Sequence, residues 1–192
     1  MNREFKKKIV VINGSGGAGK DTFVNLVFSI INGKDPQHDL KYSGLRGDSD
    51  DYFENRLLVL SVSTIESILT PAKELGWDGM KNDKGRKFLS DLKKLSTEYC
   101  DRPYQYIKKR YIDDRHFDIL FIHCREPQEI KRFVDDFGAK TLLIRRPGID
   151  VPLNDSDMGV ENYEYDYIVY NSDGIPELKD KAKKFVEWLL RE

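Results

Sequence analysis

The chain has 192 residues, 33 acidic against 32 basic side chains, a net charge of −1 and a pI of about 6.3. That length supports one compact domain with a sizeable core, and the near-cancelling charge excludes a global electrostatic case for nucleic acid or a membrane surface as partner. Cys100 and Cys124 stand far apart without metal-ligand spacing, so both read as reduced thiols rather than as a disulfide framework.

The basic start "NREFKKK" leads into only four apolar residues, Ile9 to Ile12. These are too few for a signal-peptide core or a membrane span, and the expected location is the cytoplasm. "KIVVIN" (8–13) reads as the first strand, and residues 19–32 place Phe23, Val27 and Ile31 on one helical stripe. Residues 33–56 are rich in Gly, Asp and Ser, too polar for core and too long for an ordinary connection, so an inserted or mobile region is expected there. "LLVLSVS" (57–63) is a second strand. Residues 64–113 carry two or three helix-period segments, more than one crossover requires, and read as a helical lobe over one side of the sheet. "FDILFIH" (117–123) is the third strand, followed by a helix with Pro127 in its first turn and Gly138 as its stop. "KTLLIR" (140–145) is the fourth, residues 147–165 have the composition and length of a lid loop, and "DYIVYN" (166–171) is the fifth. The last segment, 175–191, aligns Leu178, Ala182, Phe185 and Leu189 as a buried face. The strands are apolar without strict alternation, the pattern of a parallel sheet covered on both faces.

Between the first strand and its helix lies "GSGGAGKDT", residues 14–22. Gly14-x4-Gly19-Lys20 is the core of a P-loop, placed after a buried strand and before a helix as the chemistry requires. Glycines let successive N–H groups point inward, the helix start adds positive partial charge, and Lys20 supplies a full charge for β- and γ-phosphates. The spacing alone arises by chance in about one chain in twenty of this length; Gly16 and Gly17 within the loop and the strand–helix context reduce that sharply. Gly14, Ser15, Gly16, Gly17, Ala18, Gly19, Lys20, Asp21 and Thr22 are therefore the candidate nucleotide-binding residues. Where a P-loop usually has Ser or Thr for magnesium, this chain has Asp21. Its carboxylate suits Mg²⁺ directly or through water, or else favours the helix N-terminus; Thr22 is placed at the α-phosphate.

With Lys-Asp-Thr closing it, this loop resembles that of the bacteriophage-type deoxynucleoside monophosphate kinases, a branch of the nucleoside monophosphate kinase superfamily. "GWDGMKNDKGRKFLSDLKKL", "HCREPQEI" and "YDYIVYNSDGIPEL" are similar in order and kind to segments of that group, so the resemblance spans most of the chain. It implies a three-layer α/β/α P-loop fold with a five-stranded parallel sheet, 1–192 as one kinase-like domain, 64–113 as an acceptor-binding lobe and 147–165 as a lid. It also implies Arg86 as a holder of the acceptor's phosphate and Asn171 in "YNSDG" as a neighbour of adenine, although Arg86 reads equally as an exposed helix-face charge and Asn171 as a turn former. Relatives often carry an acid followed three positions later by Lys after the second strand; here Glu66 is followed by Leu69.

In parallel α/β sheets ligands gather beyond the carboxyl ends of the strands. By that rule Arg125, Arg145 and Arg146 fall near the phosphates as catalytic candidates with Lys20, and Ser63 with Arg125 near the acceptor, Ser61 and Thr64 lying at the same strand exit. Arginine's planar fork spans two phosphate oxygens and stays charged; the alternatives are a salt bridge from Arg125 to Glu126 or Glu129 and a solvated strand end at Arg145-Arg146. Arg46 and Arg56 are weaker candidates. The third strand ends in His123-Cys124-Arg125, and Asp118 stands at its wrong end to support magnesium, which leaves Glu126 or Asp21 for that task. His123 reads as a hydrogen-bonded strand end rather than a proton carrier, and Cys124 as packing. The expected activity is ATP- and Mg²⁺-dependent transfer to a phosphate-bearing small molecule, foremost a (deoxy)nucleoside monophosphate, by a monomer or homodimer without nucleic-acid or membrane partners. Dephospho-coenzyme A or phosphomevalonate as acceptor, and an ATP-binding regulatory module without transfer, are the alternatives.

Overall fold

The structure, a computed structural model, describes residues 7–32, 57–80, 82–113, 117–148, 160 and 163–192. The polar stretch 33–56 and most of the lid expected over 147–165 lie outside these. The chain divides into two compact units, Met1–Ser61 with His116–Glu192, and Val62–Arg115.

Five strands, β1 (Lys8–Asn13), β2 (Val59–Ser63), β3 (Ile119–His123), β4 (Lys140–Arg145) and β5 (Tyr167–Tyr170), form one parallel sheet in the order β2-β3-β1-β4-β5. The strand carrying the glycine loop is thus central. Its register sets Ile12 beside His123 on one side and beside Leu142 on the other. Three strands are shorter than their apolar runs because side chains intervene at their starts. Asp118 Oδ2 accepts from Leu58 N at 2.7 Å, and Asp166 Oδ2 accepts from both Thr141 N and Thr141 Oγ1, at 2.7 and 2.8 Å. Asp118 therefore ties down the amino end of β3.

The central strands bury both faces. Val10, Ile12, Ile119, Phe121, Leu142, Ile144 and Val169 alternate toward helices α1 (Lys20–Asn32) and α6 (Ile175–Arg191), where Phe23, Val27, Leu178, Ala182, Phe185 and Leu189 complete the core. Phe185 sits at its middle, with ring centroids 5.5 Å from Phe23 and 5.3 Å from Tyr167. Each such ring or branched chain contributes about 1.5–3 kcal/mol by leaving water. The opposite face meets α5 (Pro127–Phe137), which contacts β1 and β4 and buries Ile130 and Phe133. Pro127 occupies the first turn of α5, and Gly138 stops it at φ 63°.

The second unit holds three helices, α2 (Glu66–Glu74), α3 (Asp83–Cys100) and α4 (Arg102–Asp113). Ile68, Ala72 and Leu89 form its small core, packed by Ile65, Leu69, Trp77, Phe88 and Leu92. Leu69, three positions after Glu66, is thus a packing residue. Asn82 caps α3 by accepting from Gly85 N at 2.8 Å, and Asp101, at φ 54°, turns the chain directly into α4. Among the described residues no helix is long and apolar enough to cross a membrane.

Candidate functional site

Because β1 is central and parallel to its neighbours, the segment after it emerges at the carboxyl edge of the sheet, where β3 and β4 also end. The chain reverses there within six residues before α1 begins. Gly14 and Gly19 make this possible: their φ values of 141° and 99° are open to glycine and hostile to other residues. Space is as tight as angle. A Cβ on Gly14 would strike the backbone carbonyl of Ile144, and one on Gly19 would stand 2.5 Å from Asn171 Nδ2. Within the loop Ala18 N donates to Ser15 O at 3.2 Å, and Phe23 N donates to Gly19 O at 2.9 Å to start the helical ladder.

Lys20 bends back over this loop, its Nζ donating to Gly14 O at 2.5 Å and to Ser15 O at 2.9 Å. The ammonium is therefore held at the mouth of the loop, where a polyanion resting on the loop amides would meet it. Two candidates from distant segments brace the same loop from outside. Asn171, just past β5, donates through Nδ2 to Ala18 O at 2.9 Å, and Arg146, just past β4, reaches Gly17 O through Nη1 at 3.4 Å. The side chain of Asn171 is thus committed to the loop backbone. Arg145 lies over Tyr170, with its guanidinium 6.0 Å from the ring centroid and Nη1 3.4 Å from the phenol oxygen.

A third brace was not among the candidates. Asn13, fully buried as the last residue of β1, accepts from Gly14 N at 2.7 Å and donates through Nδ2 to Tyr165 Oη at 2.7 Å and to Arg125 O at 3.3 Å. Tyr165 in turn donates to Val160 O at 2.9 Å. One amide thereby ties the first loop N–H, the β3–α5 connection that carries Arg125, and the segment leading into β5. Burial pushes the Tyr165 phenol up to about 12, against the opposing pull of the Asn13 bond, so it acts as a neutral hydrogen-bonding group. An Asn closing a buried strand before a glycine loop was the signal in the sequence: a buried amide needs several partners.

Asp21, in the first turn of α1, has a side chain 94% exposed, and His123 Nδ1 stands 3.8 Å from its Oδ1. An accessible carboxylate next to the loop lysine suits a divalent ion that also takes phosphate oxygens and water. His123 is itself held through Nε2, 3.0 Å from Ser61 Oγ. Glu126 is turned elsewhere: its Oε2 accepts from Arg125 N at 3.3 Å and lies 3.7 Å from Cys124 Sγ. Cys124 is buried, 3.3 Å from Glu129 Oε2, and the ligand atoms of Cys124, Glu126 and Glu129 all lie within 4.8 Å of one another, a polar setting rather than apolar packing.

Ser63 and Arg86 fall in the second unit. Ser63 ends β2 and is half-buried; Arg86 lies exposed in the first turn of α3, its N–H bonded to Asn82 O at 2.8 Å. Gly85 beside it has no room for a side chain, since a Cβ would strike Met80 O, to which Trp77 Nε1 donates at 3.1 Å. That turn delivers Arg86 in one defined backbone position.

No protein-family model matches the chain, and no curated protein does. Among solved structures it is similar to a dephospho-CoA kinase from Campylobacter jejuni, at 14% identity and a TM-score of 0.49 over 97% of this chain and 99% of that one. It is also similar to an APS kinase from Mycobacterium tuberculosis, at 13% identity and TM-score 0.45 over 97% and 99% of the two chains. A sugar kinase from a Janibacter species aligns at 12% identity and TM-score 0.46 over 94% and 95%. Likenesses of this degree fix no activity, which rests on the residues themselves.

Proposed function

We infer that the chain is an ATP-dependent phosphotransferase whose acceptor is a small molecule already bearing a phosphate, foremost a (deoxy)nucleoside monophosphate. The observation that carries this reading is the loop of residues 14–22. It leaves a central parallel strand, turns on Gly14 and Gly19 at positive φ with other atoms where a Cβ would stand, holds Lys20 over its own carbonyls and opens a helix. In this reading the triphosphate displaces the carbonyl bonds of Lys20, loop amides and the α1 start take the phosphate oxygens, and Asp21 would hold Mg²⁺, which would supply positive charge to the phosphates.

Charge on the transferred group is met by Lys20 together with Arg125, Arg145 and Arg146 from the ends of β3 and β4. Arg146 already reaches the loop, and the Asn13 brace fixes the backbone of Arg125 relative to it. No general base is required, because a phosphate-ended acceptor carries a nucleophilic oxygen at neutral pH; positioning and electrostatics suffice. Arg86, with Ser63, is assigned to the acceptor's phosphate.

The test is ADP release in a coupled assay over a panel of nucleoside and deoxynucleoside monophosphates, with dephospho-coenzyme A and phosphomevalonate alongside. Turnover with a nucleotide supports the reading. Turnover only with one of the other two keeps the chemistry and replaces the acceptor, whereas ATP binding without turnover of any acceptor marks a regulatory nucleotide-binding module.

A further inference from the structure

Past β5 the chain crosses to α6 through residues 171–174, and the peptide that opens this crossing is bonded from two sides. Its N–H, that of Asn171, donates to Arg145 O at 2.7 Å and prolongs the ladder with β4. Its carbonyl, that of Tyr170, points the opposite way, as a trans peptide requires. Because β5 is the edge of the sheet, no strand among the described residues meets that oxygen. Lys181, in the second turn of α6, does: its Nζ donates to Tyr170 O at 2.7 Å. The same ammonium lies 3.5 Å from Asp173 Oδ2 and 3.1 Å from Glu177 Oε1. Three donors thus find three acceptors. The hydrogen bond to Glu177 raises the lysine pKa above its ordinary value, so the ammonium form is held.

Fixing this peptide plane fixes the direction of the side chain that follows it. Asn171 leaves the plane to place Nδ2 2.9 Å from Ala18 O, and that nitrogen is also the atom a Cβ on Gly19 would meet. Ala18 and Gly19 directly precede Lys20. A path of printed-circuit simplicity is therefore unnecessary: one ammonium, one peptide and one amide join α6 to the end of the glycine loop. Lysine at a sheet edge commonly blunts the strand against pairing with another chain. Here, however, the covered carbonyl belongs to the peptide whose next side chain reaches the loop.

We propose that Lys181 is a positioning residue of the nucleotide loop, acting through the Tyr170–Asn171 peptide and the Asn171 side chain on Ala18. This rests on the nucleotide-loop reading above. Without the tether the peptide is held from the β4 side only, Asn171 loses its fixed approach to Ala18, and the loop amides spend less time in one arrangement. The loss falls on nucleotide binding, because a loop ordered in advance expresses that order as affinity.

The experiment measures affinity for the β,γ-methylene analogue of ATP with Mg²⁺ by calorimetry, together with the urea midpoint. It compares the whole wild-type chain with Lys181→Met, Asn171→Ala, the double variant and Lys183→Met. Methionine keeps the apolar stem and removes the donor. The Lys181 side chain is 27% exposed, so Lys181→Met is expected to weaken binding about tenfold, the lower end of the scale for a hydrogen bond to a charged group. In the Asn171→Ala background the same substitution is expected to change affinity by less than about twofold, because the path it acts through is already cut. A merely structural role lowers the urea midpoint in both backgrounds and produces no such coupling in affinity. Lys183→Met removes a lysine of the same helix that pairs with Asp180 at 2.9 Å; it controls for lost positive charge and is expected to leave affinity within about twofold. The inference is overturned if Lys181→Met leaves affinity unchanged, lowers it equally in the two backgrounds, or lowers it no more than Lys183→Met does, and Lys181 is then a guard of the β5 edge. If the wild-type chain binds no analogue, the nucleotide reading falls and the inference with it.

Discussion

The contact between Gly19 and Asn171 offers a measurable handle on the loop. In Gly19→Ala the new Cβ meets two separate obstacles. The first is the backbone angle, φ 99°, which costs a non-glycine residue about 1–3 kcal/mol. The second is Asn171 Nδ2, 2.5 Å from the Cβ position and bonded to Ala18 O at 2.9 Å. It must swing away and forfeit that bond, a loss of about 1 kcal/mol. The sum is about 2–4 kcal/mol, read as a lowered urea midpoint at unchanged slope. Asn171→Ala alone loses only the bond. In the double variant the side chain in the way is gone, so Gly19→Ala then costs the angular part alone. The coupling between the two substitutions is therefore about 1 kcal/mol, with the double variant more stable than the sum of the singles predicts. Nucleotide affinity, measured by calorimetry, is expected to fall at least tenfold in Gly19→Ala with or without Asn171, because the loop amides are displaced in both. Strictly additive stabilities would show that Asn171 does not lie against Gly19, and an unchanged affinity would show that the loop does not hold phosphates.

Three further outcomes are expected. Asp21→Asn weakens magnesium-dependent ATP binding by about tenfold and leaves metal-free binding within about twofold; an unaltered magnesium titration would assign Asp21 to the helix N-terminus alone. Of Arg125→Ala, Arg145→Ala and Arg146→Ala, at least one lowers kcat by about 10³-fold or more, the scale for an arginine meeting a transferred phosphoryl group. Three variants within tenfold of wild type would remove these arginines from the chemistry. The Tyr165 phenol, raised by burial to about 12 in the folded chain, ionises near 10 once unfolded. Its unfolded form therefore releases the proton first, and the stability it supplies is complete below about pH 10 and declines as pH rises toward 12. The stability advantage of wild type over Tyr165→Phe should narrow between pH 9.5 and 11.5 in urea titrations. Parallel curves would show that the phenol is not buried in the folded chain.

What the sequence by itself determined was everything carried by local pattern. Strands 8–13 and 140–145 are found where the apolar runs place them, because a strand buried on both faces needs an unbroken run of Val, Ile and Leu. Pro127 and Gly138 bound their helix for equally local reasons, and the glycine spacing announced a loop with backbone angles closed to other residues. The other three strands begin one or two residues late, since Asp118 and Asp166 spend their carboxylates on neighbouring backbone at those points. Only the tertiary structure decided which residues meet. Asn13 and Tyr165 lie 152 positions apart and share one hydrogen bond; Asn171 and Ala18, 153 apart, share another; and Ser61, His123 and Asp21 come from the ends of two strands and the start of a helix. No periodicity encodes such meetings. They depend on the strand order, which sets β1 between β3 and β4 and carries their carboxyl ends, with whatever residues follow, to one edge.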